Sequence, residues 1–166
     1  MMGQFEGFRR ASGRPGVRNL TLVLSVTGLT TPAARRIGMI LKGVTVLGTP
    51  FGSGVLGRDR EVQRRALSAF VSHPNVGAVV VIGADQPVVD LVAGAAAASG
   101  RLVEAICFDE CGHDVLTLTD RAVRVAAGFV RELSVARREP LAAGELLLGL
   151  ECGRSDPSSG LVANPL

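Results

Sequence analysis

The sequence contains no tryptophan and no tyrosine, and phenylalanine occurs only six times in 166 residues. Because 47% of the residues are nevertheless hydrophobic, the core must be built from aliphatic side chains. Lysine is nearly absent as well, since Lys42 is the only one and arginine supplies the remaining positive charge. This length and hydrophobic content predict one globular domain.

Long apolar runs are also missing, and the longest, residues 76–84, is far shorter than the ~20 residues of a membrane span. The first ten residues lack the apolar segment of a signal peptide. Three cysteines form no disulfide pattern. A net charge of +3 with scattered arginines is not typical of a nucleic-acid-binding surface. We therefore expect a cytoplasmic protein that binds neither membranes nor nucleic acid.

Short apolar runs alternate with segments of helical periodicity along the chain. Such alternation is typical of a parallel sheet with helices on both faces. The sequence therefore predicts a three-layer, Rossmann-like α/β fold. Its sheet would have about five strands, at residues 20–26, 44–47, 76–82, 102–108 and 146–150.

Three regions follow from this pattern. Residues 1–19 are predicted to form an N-terminal arm, residues 20–153 the α/β domain, and residues 154–166 a segment leading toward a catalytic domain that the sequence lacks. The second predicted helix is expected to bury the apolar residues that recur at helical spacing, which are Val62, Ala66, Ala69 and Phe70.

Parallel strands place their strand-to-helix loops at one edge of the sheet, where α/β proteins bind ligands. The loop after the predicted fifth strand carries Cys152, Ser155 and Asp156, which are candidate reacting groups. Because serine, aspartate and glycine also favour turns, a plain turn is the alternative.

A glycine-rich segment, Gly-Ser-Gly-Val-Leu-Gly at residues 52–57, lies between the second strand and the second helix. Its pattern, G-x-G-x-x-G, predicts backbone N–H groups that contact an anion. A dinucleotide fits poorly, because the segment follows the second strand and no acidic residue comes about 20 residues later. The alternatives are another anionic ligand, bound at Gly52, Ser53 and Gly54, and a plain glycine turn.

Residues 107–114 contain ligand types that metals prefer, including Cys107, Cys111 and His113. The spacing C-x3-C-x-H is not a standard zinc pattern, so a buried cysteine followed by a helix-capping loop is the favoured interpretation. His73 is expected to be structural, near the negative end of a helix dipole.

Three segments resemble the altronate and galactarate dehydratases and their relatives, such as the large subunit of sulfolactate sulfo-lyase. The segment GFRRASGRPGVRN at residues 7–19 is similar to that family's opening motif, and HPNVGAVVVIG at 73–83 to its central strand. The segment GLECGRSDPSSGLVANP at 149–165 is similar to its Cys-Gly-Gly-Ser-Asp and Ala-Asn-Pro motif.

The resemblance implies a hydro-lyase that eliminates water from a sugar acid and leaves a 2-keto-3-deoxy acid. It implies catalysis through Cys152, Ser155 and Asp156, and substrate binding through Arg18, Asn19 and Asn164 together with the glycine-rich segment. It also implies dependence on iron, for which Cys152 would be a ligand. A second chain supplying the catalytic domain, or a homo-oligomer, is a further expectation.

Several family cysteines are replaced in this sequence. The family's glycine-cysteine-glycine loop is Gly52-Ser53-Gly54 here, its "GLGCE" segment is Gly-Ala-Asp-Gln at 83–86, and Arg154 replaces a glycine. These changes argue against iron bound in the family's manner. The alternatives to an active dehydratase are therefore a non-catalytic sugar-acid-binding module and a nucleotide-binding domain using residues 52–57.

Overall fold

A computed structural model describes residues 3–52, 54–149, 157, 158 and 161. Its main sheet consists of the parallel strands β2 (Leu20–Ser25), β3 (Val44–Gly48), β4 (Val76–Gly83) and β5 (Leu102–Cys107). Their spatial order is β3–β2–β4–β5. All eight residues of β4 are buried, because helices cover both faces of the sheet.

Two helices cover each face, which confirms the predicted three-layer α/β architecture. The helices are α1 (Thr31–Ile40), α2 (Gly57–Val71), α3 (Gln86–Ala98) and α4 (Val115–Ser134). Alternate residues of β4 divide between the faces: Val79 and Val81 pack with α2 and α3. Val80 and Ile82 pack with α1 and α4. This alternation follows from the two-residue period of a strand.

The predicted fifth strand is wrong. Residues 146–149 form no strand, and Leu147 and Leu148 are 73% and 74% exposed. Instead the chain after α4 forms β6 (Glu139–Ala142), which pairs antiparallel with β1 (Gln4–Gly7) of the N-terminal arm. This pairing directs the chain away from the main sheet before the apolar run begins.

The arm that was predicted to lie outside the sheet is held at the amino ends of the strands. The Asn75 side-chain oxygen accepts hydrogen bonds from the backbone N–H groups of Val17 (2.9 Å) and Arg18 (3.1 Å). Arg10 donates to the Pro74 carbonyl at 2.7 Å and to the Asn19 side-chain oxygen at 2.8 Å. These bonds tie the arm to the turn that precedes β4.

Across the part of the chain that the structure describes, no helix is both long and apolar enough to cross a membrane.

Candidate ligand-binding site at the carboxyl edge of the sheet

The loops that follow β2 and β3 meet at the carboxyl edge of the sheet. The backbone N–H of Gly28 donates to the Phe51 carbonyl at 2.8 Å. A Cβ atom at residue 28 would lie 2.7 Å from the Pro50 carbonyl oxygen, so only glycine permits this approach.

Buried hydroxyl groups fix the first of these loops. The Ser25 and Thr30 hydroxyls lie 2.7 Å apart, and those of Thr27 and Thr30 lie 3.1 Å apart. The Thr27 hydroxyl also accepts a hydrogen bond from the backbone N–H of Ala84 at 3.1 Å, which connects the loop after β4. Hydrogen bonds therefore connect three loops at this edge of the sheet.

Helix α2 presents a polar surface to this edge. Leu67 and Val71 are its buried residues, and Arg60, Gln63 and Arg64 lie on the same side, one and two turns toward the helix start. The prediction that Val62, Ala66, Ala69 and Phe70 face the core is wrong, since all four are exposed. The helix has two apolar stripes, and the Leu67–Val71 stripe is the one that packs on the sheet.

A cavity of about 140 Å³ lies between the helix and the loops. Arg60, Arg64, Thr27 and Asp85 are among its lining residues. Arg60 donates through Nε to the Val55 carbonyl at 2.9 Å, while the Nε atom of Arg64 is buried without a hydrogen-bond partner. Within the described ranges, neither arginine forms an ion pair. Two unpaired cations one helical turn apart repel each other, so an anion in the cavity would stabilise them.

A second cavity, of about 540 Å³, adjoins the first and shares Thr27, Gly52 and Asp85 with it. Gln86 and Asp109 are among the residues that it adds. Asp85 precedes α3, but its side chain accepts no capping hydrogen bond. The two cavities are therefore adjacent: Arg60, Arg64 and Asp85 line the smaller one, and Asp85 and Asp109 line the larger one.

An apolar groove of about 830 Å³ lies on the other side of α2, beside the edge strand β3. Its exposed apolar residues include Leu47, Phe51, Leu56, Val62 and Phe70. Such a surface suits an apolar partner rather than a polyhydroxylated acid.

The structure brings together only part of the predicted site. Gly52 lines both polar cavities and Gly54 lines the groove. Arg18 and Asn19 lie before β2, at the amino end of the sheet and therefore opposite the cavities. There the Asn19 side-chain oxygen accepts from Arg10, which is a structural contact. The remaining predicted site residues, Ser53, Cys152, Ser155, Asp156 and Asn164, lie outside the described residues.

The capping interpretation of residues 107–114 is confirmed. Cys107 and Cys111 are buried. Burial raises the pKa of the Cys111 thiol. The Asp114 carboxylate accepts hydrogen bonds from the backbone N–H groups of Leu116 and Thr117, each at 3.0 Å, and caps α4. His73 also has a structural role, since its Nδ1 accepts from the Asn75 N–H at 3.1 Å.

The dependence on iron that the resemblance implies stays a prediction. Among the described residues, no group of three histidine, cysteine or acidic side chains could hold a metal ion. Cys152, the ligand that the resemblance implies for iron, lies outside the described residues.

The Asp114 cap predicts a specific pH dependence of stability. The Thr117 hydroxyl, followed by the two backbone N–H groups, lowers the pKa of Asp114 below its ordinary 3.8. A carboxylate whose pKa is lowered by folding stabilises the protein above its unfolded pKa and loses this contribution as pH falls through its folded pKa. We expect Asp114→Ala to lower the melting temperature at pH 7.

The difference in melting temperature between the native protein and Asp114→Ala should shrink as pH falls below 3.8. Thr117→Val, which removes the hydroxyl donor and keeps the branched shape, should give a smaller difference at pH 7. Thermal unfolding followed by circular dichroism measures both. An Asp114→Ala difference that stays constant from pH 7 to pH 3 would contradict this assignment.

The fold and the cavities define a three-layer α/β domain whose carboxyl sheet edge carries a cationic cavity. The chain belongs to the family described as D-galactarate dehydratase/altronate hydrolase, second domain, whose family model matches residues 7–134. The resemblance carried by the sequence motifs is thereby confirmed.

The relatives are lyases and dehydratases by name. The chain is 36% identical to (2R)-sulfolactate sulfo-lyase subunit beta of Chromohalobacter salexigens, covering 97% of this chain and 41% of that protein. It is 31% identical to the altronate dehydratase of Bacillus subtilis and 34% identical to that of Escherichia coli. These matches cover 98% and 96% of this chain but 34% of each relative. The chain thus spans 34–41% of the length of these relatives. No solved structure matches it.

The sequence interpretation missed Arg60 and Arg64, whose guanidinium groups give the cavity its charge. The sequence analysis considered the arginines only as scattered charges that are not typical of a nucleic-acid-binding surface. Their spacing could have indicated this position. Residues three or four apart share one side of a helix, and that spacing connects Arg60 and Arg64 to Leu67 and Val71.

Proposed function

We propose that this chain supplies the carboxylate-binding part of a lyase that acts on a sugar acid or a related hydroxy acid. The observation that carries the proposal is the cavity lined by Arg60 and Arg64, neither of which forms an ion pair within the described residues. Arginine binds carboxylates through two parallel hydrogen bonds, which fixes their orientation. The names of the relatives support the lyase class.

The chemistry of water elimination explains why such a cavity is useful. Removal of the proton beside the carboxylate places negative charge on the carboxylate oxygens, and loss of the neighbouring hydroxyl as water gives an enol of the keto acid. Arginines that hold these oxygens would stabilise the developing charge. We propose Cys152, Ser155 and Asp156 as the reacting groups, and Ser53 and Asn164 as further substrate contacts, on the basis of the family motif.

We also propose that activity needs more polypeptide than this chain. The relatives are more than twice as long as the segment that this chain matches. The apolar groove beside α2 and β3 is the surface on which we place that further part of the enzyme, because its exposed phenylalanines and leucines would be covered there.

Calorimetric titration of the purified chain with altronate tests the carboxylate site. We expect Arg64→Gln to weaken binding by about tenfold or more, because it removes a charge-assisted hydrogen bond. Arg65→Gln is the matched control, since Arg65 is exposed on the outer side of α2 and should bind altronate like the native chain. Equal affinity in Arg64→Gln and Arg65→Gln, or no binding by the native chain, would reject the proposal.

A further inference from the structure

The two adjacent cavities differ in the charged residues that line them. Arg60 and Arg64 line only the smaller cavity, Asp109 lines only the larger one, and Asp85 lies where the two meet. Within the part of the chain that the structure describes, Asp85 forms no ion pair with either arginine. Unlike charges thus face a shared space without neutralising each other.

We infer that this site selects acids with one carboxylate and a hydroxylated tail, and disfavours acids that carry a second anionic group at the far end. The inference rests on the proposed function, because it takes Arg60 and Arg64 to bind the carboxylate. Asp85 is the main specificity-determining residue, and it acts on the tail of the ligand rather than on its reacting end.

The size of the smaller cavity determines where the tail must go. At about 140 Å³ it lies below the ~300–1,000 Å³ of typical small-molecule sites, so it accommodates only the carboxylate end. The rest of a six-carbon acid must extend past Asp85 into the larger cavity, of about 540 Å³.

Asp85 and Asp109 interact differently with a hydroxylated tail and with a tail that carries a second carboxylate. Ionised carboxylates accept hydrogen bonds, which the hydroxyl groups of a sugar-acid tail can donate to Asp85. A second carboxylate has no proton to donate and is repelled by Asp85, which is half-buried and therefore poorly screened. Asp109 adds to this repulsion more weakly, because it is 66% exposed and lies 3.1 Å from His113.

Altronate and galactarate are suitable probes, because both have six carbons and they carry one and two carboxylates respectively. In titrations of the full chain at low salt with a chelator present, we expect altronate to bind about tenfold more tightly than galactarate. Asp85→Asn should reduce this ratio toward one by improving galactarate binding. Asp120→Asn is the control, since Asp120 is exposed on α4, where it pairs with Arg124, and should leave the ratio unchanged.

The outcomes separate this inference from the proposed function. If Arg64→Gln weakens both ligands, while galactarate binds as tightly as altronate and Asp85→Asn does not change the ratio, the charge selection is wrong and the carboxylate site stands. If Arg64→Gln has no effect on either ligand, both proposals fall. A tenfold preference that disappears in Asp85→Asn and persists in Asp120→Asn would establish the inference.

Discussion

Leu118→Ala is expected to lower the free energy of unfolding by about 3–5 kcal/mol, because it removes a large buried side chain and leaves a cavity. Leu118 is fully buried on α4 and belongs to the cluster that joins α1 and α4 to the sheet. In that cluster Val80, Ile82 and Ile106 come from the two adjacent strands β4 and β5. They cannot move into the space without breaking their strand pairing, so the cavity should stay largely open.

Leu116→Ala is the matched control, because Leu116 lies on the same helix and is 63% exposed. This substitution removes the same atoms at the surface, where the free energy of unfolding is expected to change by no more than about 0.5 kcal/mol. Urea unfolding followed by circular dichroism measures both. A loss in Leu118→Ala as small as in Leu116→Ala would mean that α4 does not pack on the sheet as described.

The sequence was sufficient to predict the order of β2, β3, β4 and β5 and the helices between them. Each strand is a short run of aliphatic residues, and β4 is buried along its whole length, which leaves a parallel, doubly covered sheet as the consistent fold. Pro32 and Pro87 stand at helix starts, where the fixed φ of proline is favourable.

The predicted strand at residues 146–150 shows what an apolar run cannot indicate. An apolar run indicates that a segment tends to be buried, but it does not indicate which surface of the protein covers that segment. In this chain Leu147 and Leu148 are exposed, after β6 has paired with the arm. That antiparallel pairing joins residues more than 130 positions apart, and the spacing of neither segment predicts it.

The sequence predicted the position of the cavity that Arg60 and Arg64 line, but not its lining. The parallel sheet fixes the edge at which the loops meet, so Gly52 was correctly placed there. The side of α2 that faces the sheet was not predictable, because Val62 and Phe70 form an equally good apolar stripe. The position of Arg60 and Arg64 beside the sheet therefore follows only from the packing of Leu67 and Val71, which the sequence does not show.

Arg101, at the amino end of the sheet, is expected to make the second large contribution to the free energy of unfolding. It is 6% exposed. Its guanidinium donates to the Ser99 carbonyl at 2.6 Å, the Ser72 carbonyl at 3.2 Å and the His73 carbonyl at 3.4 Å. Ser72 and Ser99 end α2 and α3, so the cation lies at the negative ends of two helix dipoles. Helix carbonyls stabilise this charge, and no carboxylate pairs with it within the described residues.

Arg101→Met should therefore lower the free energy of unfolding by about 3 kcal/mol, since it keeps the aliphatic stem and removes the donors to three partly buried carbonyls. The loss is smaller than three charged hydrogen bonds would suggest, because Arg101 also repels a neighbour. Burial, and next the charge of Arg101, lower the pKa of Arg10 to about 10, and the substitution relieves that second effect.

Urea unfolding again measures the change, with Arg131→Met as the control. Arg131 is exposed in the last turn of α4, so its replacement should change stability by less than about 0.5 kcal/mol. Arg101→Lys should lie between the native chain and Arg101→Met, because one ammonium group keeps the charge but cannot reach three carbonyls in the same fork geometry. If Arg101→Met were as stable as Arg131→Met, the ends of α2 and α3 would not depend on this cation.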